Sequence, residues 1–230
     1  MSCDVPYNVC IILEGNEEYQ FFQTMKLSGA ISSNIALLNI DAGGFGRVAP
    51  YFQDYLAIEL FDCVVCVYDV DYRQAESGSP YQNIREGLLK ILGNEEAVNA
   101  VSFCTNPNFL QIYLLSKKPL NEVCLTQTSK KMNTEYVHLC WPDIAKEKKK
   151  EDGTDQTKGY DATEWQLRLM NTHFYESSES YQALLENCQC LPKDYLFCDS
   201  PGSNAPNLIR ALLEGDTKFF KAIRSKVDED

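Results

Sequence analysis

Two stretches of almost unbroken apolar side chains constrain the fold most: Val9-Cys10-Ile11-Ile12-Leu13 and Phe61-Asp62-Cys63-Val64-Val65-Cys66-Val67-Tyr68. A strand with one wet face alternates apolar and polar residues, whereas a strand covered on both faces reads as a continuous run. Both stretches therefore predict central strands of a mainly parallel sheet. Each ends in acid, Glu14-Gly15 after the first and Asp69-Val70-Asp71 after the second. In open α/β sheets the ligand crevice lies beyond the carboxyl ends of the strands. Carboxylates gathered there repel one another unless a cation sits among them, so a divalent-metal site is the leading expectation.

Strand and helix alternate through the first half. A helix is predicted from about Glu17, where Glu17 and Glu18 suit the positive end of the helix dipole. A strand over Ile35 to Ile40, a helix from Val48 to Leu60 and a helix from Tyr81 to Leu92 follow. A strand over Val98 to Cys104 runs into Thr105-Asn106-Pro107-Asn108-Phe109 and a helix from Leu110 to Ser116. Such units imply right-handed crossovers and a Rossmann-like α/β sheet flanked by helices. Residues 1–118 form the expected core, 119–194 a helical or irregular insert, and 195–230 a strand and helices completing the core. Helical patterns are expected at Thr163 to Asn171 and Ser178 to Cys188, and a last short strand at Tyr195 to Cys198. Asn204 is the expected cap of a helix that carries Pro206 in its first turn.

A chain of 230 residues, 44% hydrophobic, can bury one large core. It has no apolar run of membrane-spanning length and its N-terminus lacks a signal-peptide layout, which predicts a cytoplasmic protein with no membrane partner. The ten cysteines do not read as a disulfide scaffold, because Cys10, Cys63, Cys66 and Cys104 lie inside predicted strands as small hydrophobes. The net charge of −12 disfavours non-specific nucleic-acid binding, so such a substrate needs a local basic patch, a metal or a partner protein.

Asp69 and Asp71 leave one face of an extended backbone, with Cα atoms about 6–7 Å apart, a workable span for two oxygens on a metal. Glu14, from the neighbouring run, either completes the ligand set or acts as general acid/base. Gly15 allows a phosphate to approach the backbone at a helix N-terminus. The plainer alternative makes both aspartates turn or capping residues.

At these residues the chain resembles a known family. Leu13-Glu14-Gly15, Gly43-Gly44 and Val67-Tyr68-Asp69-Val70-Asp71 are similar to the Toprim domain of topoisomerases, primases and OLD-type nucleases. Thr105-Asn106-Pro107-Asn108-Phe109 resembles the Ser-Asn-Pro-x-Phe element of its RloB-like branch, and Ser200-Pro201-Gly202-Ser203-Asn204 resembles the C-terminal helix start. The resemblance covers about residues 8–118 and 196–214. It implies Glu14 as general acid/base, Asp69 and Asp71 as metal ligands, Mg²⁺ (or Mn²⁺) as cofactor, and cleavage of RNA or DNA in phage defence beside an ATPase partner. One departure stands out: Leu110 follows Phe109 where that branch has Glu, and Gln111 comes next.

Asn106 is a candidate for orienting a carboxylate or substrate, or an ordinary helix-start signal. Lys158, in Lys158-Gly159-Tyr160, is a candidate phosphate contact or a solvated loop residue. The lysine run from Lys146 to Lys150, with Trp141 and Tyr160, is the strongest basic patch. His138 and His173 lack metal-site spacing, and Gly43-Gly44-x-Gly46 lacks the Lys-Ser/Thr of a P-loop. Beside the Mg²⁺-dependent phosphodiesterase stand two alternatives: a weakly active Toprim-fold regulatory subunit, and a small-substrate phosphatase with an aspartyl nucleophile.

Overall fold

β1 (Val9–Leu13) is the axis of a five-stranded sheet, every residue of it buried. It pairs in parallel with β2 (Ala36–Asn39) on one side and β3 (Cys63–Asp69) on the other. β4 (Ser102–Asn106) continues the parallel set beside β3, and the two-residue β5 (Gly202–Ser203) closes the edge antiparallel to β4. The computed structural model describes residues 7–40, 45–70, 78–106, 109–117, 172–175, 177, 179–190 and 202–228. The order β2-β1-β3-β4-β5 makes this a doubly wound α/β fold, as the two continuous apolar runs predict. The chain leaves β1 toward β2 and then crosses back to β3, so the topological switch point falls between β1 and β3.

The helices cover the sheet. α1 (Asn16–Leu27) lies along β1 and β2, while α2 (Val48–Ala57) packs on β1 and β3 and against α3 (Pro80–Leu92). The α2–α3 approach depends on Gly87, because a Cβ there would stand 2.6 Å from the Ala49 Cβ. α3 starts at Ser79, whose hydroxyl accepts the Gln82 N–H, and stops at Gly93 in the left-handed region (φ 76°). On the α1 side Phe21 is the hub of an aromatic cluster. Its ring lies 5.0–6.2 Å from those of Phe22, Phe109, Tyr113, Phe174 and Tyr181, nearly all edge-on. The cluster ties α1 to α5 (Leu110–Leu115), to the helical turn at 172–175 and to α6 (Glu179–Asn187).

The fourth strand differs from its expected span. Residues 98–101 belong to a helix, α4 (Glu95–Val101), and the strand begins only at Ser102. The Asn94 side chain accepts the Ala97 N–H at 2.7 Å, Glu95 and Glu96 occupy the first turn, and Ala97, Val98 and Val101 form one buried face. The expected strand at 195–198 and the helix at 163–171 lie outside the described residues, whereas α6 matches the pattern from Ser178 to Cys188. The four strand cysteines are buried free thiols, and burial pushes those of Cys10 and Cys63 up to about 12. They serve as small hydrophobes.

Asn204 precedes α7 (Ala205–Glu214) as expected, yet its side chain does not cap that helix. It turns back to the sheet instead. Its Oδ1 accepts the Cys104 N–H at 2.7 Å and its Nδ2 donates to the Ser102 carbonyl at 2.9 Å. The carboxamide thus stands in for one more residue of β5. α8 (Thr217–Asp228) ends the described chain. Asn204→Ala should lower the unfolding free energy by about 2–3 kcal/mol, since it strips partners from two strand groups. Asn204→Asp, keeping only the acceptor, should fall between the two in urea titrations followed by circular dichroism.

Candidate active site

The switch point is where the two acidic motifs meet. Glu14 is the first residue past β1, and its N–H donates to the Val67 carbonyl at 3.1 Å, extending the β1–β3 ladder by one step. The next ladder bond is taken by a side chain: Glu14 Oε2 accepts the Asp69 N–H at 2.9 Å. β1 ends at Leu13 while β3 runs on to Asp69, and the Glu14 side chain serves as the acceptor that a longer β1 would have supplied. Asp69 sits beside Thr105 of β4, with its Oδ1 shut off from solvent. Val70 then donates to the Thr105 carbonyl at 3.0 Å, which holds the start of the following segment against β4. Glu14 and Asp69, read from the sequence as partners, are therefore neighbours. Asp71 and Lys158 lie outside the described residues.

Gly15 is extended (φ −138°, ψ −179°) and is the N-cap of α1 without a capping side chain. Glu18, three residues on, supplies the missing group. Glu18 is buried, only 3% exposed, and the backbone N–H groups of Glu18 and Gly15 both reach its carboxyl. This is the backward half of a capping box, with Glu at the third helical position returning to the cap N–H. It gives Gly15 a role beyond the expected phosphate approach, because a Cβ there would stand 3.0 Å from Glu18 Oε2. Burial foremost, together with the charges of Glu17 and Glu14, pushes the Glu18 carboxyl up to about 8 against the pull of the two N–H groups. Glu18 thus does more than complement the helix dipole. The spacing Gly15-x-x-Glu18 carried the signal for its true position.

Two asparagines complete the rim: Asn39, the last residue of β2, donates to Asn16 Oδ1 at 2.8 Å and ties the strand end to the start of α1. Asn106 ends β4, fully buried and paired with Gly202. Tyr113 of α5 donates its hydroxyl to the Glu17 carbonyl at 3.1 Å, bringing α5 against the first turn of α1. Among the described residues no group of three or more His, Cys, Asp or Glu side chains is placed to hold a metal ion. The pair Glu14 and Asp69 matches the one or two carboxylates that Mg²⁺ takes from a protein. The lysine run at 146–150 lies outside the described residues. Three of the four basic residues of α8 are engaged within the chain: Lys226 with Glu96, Arg224 with Asp228, and Lys221 over the Tyr7 ring. Among the described residues no helix is long and apolar enough to cross a membrane.

No protein-family model matches the chain, and no curated protein or solved structure does either.

Glu18 makes a pH prediction. Its folded-state value near 8 exceeds the unfolded value near 4.5, so the native state binds the extra proton between them. Stability is then greatest below the unfolded value and is lost as pH rises toward 8. In metal-free buffer Glu18→Gln should melt at least about 3 °C above wild type at pH 8.5 and close to wild type at pH 5. Gly15→Ala, which crowds Glu18 Oε2, should lower the melting temperature at both pH values.

Proposed function

We propose that the protein is a divalent-metal-dependent phosphodiesterase of Toprim type that cleaves RNA or DNA at the β1/β3 switch point. The observation that carries this reading is the Glu14 Oε2 bond to the Asp69 N–H, which brings the Glu14 carboxylate to the Asp69 backbone at the carboxyl ends of two parallel strands. Ligands of doubly wound folds enter at such a point. Glu14 and Asp69 would hold Mg²⁺ or Mn²⁺, with Asp71 as the further ligand that the sequence motif supplies. Bound there, the metal supplies charge neutralisation at the scissile phosphate. Asp69, at the end of its strand, would offer a ligand oxygen, and Glu14 would move the proton. A role in phage defence beside an ATPase rests on the motif resemblance. A partner that delivers the substrate would offset the repulsion of a chain carrying −12.

A second reading has its own support. The Glu14 carboxylate continues the strand ladder, a structural task, and Leu110 stands where the RloB-like branch has Glu. On that reading the chain is a Toprim-fold regulatory subunit with little activity of its own.

Incubation with single-stranded and duplex RNA and DNA, in Mg²⁺, Mn²⁺ or EDTA, separates the two. The phosphodiesterase should cleave at least one substrate only with metal, and Glu14→Gln and Asp69→Asn should each lower the rate about a hundredfold or more while circular dichroism stays native. Absence of cleavage with Mn²⁺ on every substrate would favour the regulatory subunit.

A further inference from the structure

We propose that the protein forms a two-fold dimer through β2, whose open edge pairs antiparallel with β2 of a second copy. The inference concerns the edge of the sheet and stands independently of the phosphodiesterase reading.

The sheet has two edges, β2 and β5. β5 is two residues long and offers little to a further strand. β2 is different. Ala36, Leu37 and Leu38 are half-buried, and from Ile31 to Ile40 the chain has no charged residue, no proline and no glycine. Exposed edge strands are ordinarily guarded by charge, proline or a bulge. Here a guard stands only at the start, where the Lys26 ammonium donates to the Ile35 carbonyl at 2.6 Å.

The ladder to β1 decides which backbone groups face outward. The Ile40 N–H, just past β2, donates to the Leu13 carbonyl at 3.0 Å. Along a strand the N–H and C=O of successive residues turn to opposite sides, so Leu38 and Ala36 also face β1 while Leu37 faces away from it. The Ile35 carbonyl, two residues before Leu37, points outward by the same alternation, which is where Lys26 meets it. Among the described residues nothing bonds the outward N–H and C=O of Leu37.

A second copy of this chain is the occupant that fits. With a net charge of −12 the chain repels its own kind, yet the stretch from Ile31 to Ile40 brings no charge to the meeting. A two-fold axis at Leu37 sets the Leu37 N–H of each copy against the Leu37 carbonyl of the other, as in the reciprocal pair of an antiparallel ladder. The same register places Ala36 opposite Leu38 on the other face of the sheet, apolar against apolar. Such a contact is isologous and closes at two copies, and the short β5 edge gives no route to further growth. The product is one continuous sheet of ten strands, five from each copy.

The test is sedimentation equilibrium of the full chain between about 1 and 100 µM. The mass should reach twice 26.1 kDa within that range. Leu37→Lys sets like charges face to face, and Leu37→Pro removes the outward N–H. Each should weaken association about tenfold or more, while Leu37→Val, still an apolar strand former, should remain a dimer. Circular dichroism reports whether each variant is folded. Should neither disruptive variant fold, amide exchange of wild type decides: the peptide spanning 31–40 should exchange about tenfold more slowly at the top of the concentration range than at the bottom. A wild type that stays monomeric, assembles beyond two copies, or dimerises unaffected by folded Leu37→Lys and Leu37→Pro overturns the proposal, as does exchange that ignores concentration.

Discussion

The structure turns on the parallel pairing of β1 with β3. Each strand is buried on both faces, so their backbone groups have only each other and the flanking strands as partners. Where the ladder ends, the chain must still satisfy the Asp69 N–H, and it does so with the Glu14 side chain. One acidic residue therefore extends the ladder with its backbone N–H and again with its carboxylate. That double duty explains why an acid can stand at the end of an apolar strand without being pushed out into water.

Gathering acids at one point carries an electrostatic cost, and the fold meets it by three routes. Asp69 is held by its strand, Glu14 by a backbone N–H, and Glu18 by two N–H groups together with a shift toward its neutral form. Backbone dipoles and protonation accomplish part of the task within the chain itself. A metal bound by Glu14 and Asp69 would add to this balance, and Glu18 would serve it from behind by fixing the turn at Gly15.

Much of the fold was legible because burial on both faces leaves a direct trace in composition. The runs at 9–13 and 61–68 became β1 and β3. Residues 98–101 were misread because a short helix with Val98 and Val101 buried looks apolar and β-branched in either state; the Asn94 cap decides it. Asn204 was placed at the right helix but given the wrong partner, since a capping preference cannot foresee that β4 offers a better pair of groups. The neighbouring positions of Glu14 and Asp69 followed from the strand ends alone. Glu18 did not, because its meaning lies in burial: it is an acid with little water.

The aromatic hub at Phe21 has a bearing on how such a chain can vary. Tyr113 and Phe174 face each other at 5.8 Å, so the long stretch of sequence between them leaves and rejoins the core at one spot. Closing a chain whose ends are already together depends only weakly on how many residues it contains. The entropy of joining those two ends therefore sets little limit on the number of residues between Tyr113 and Phe174.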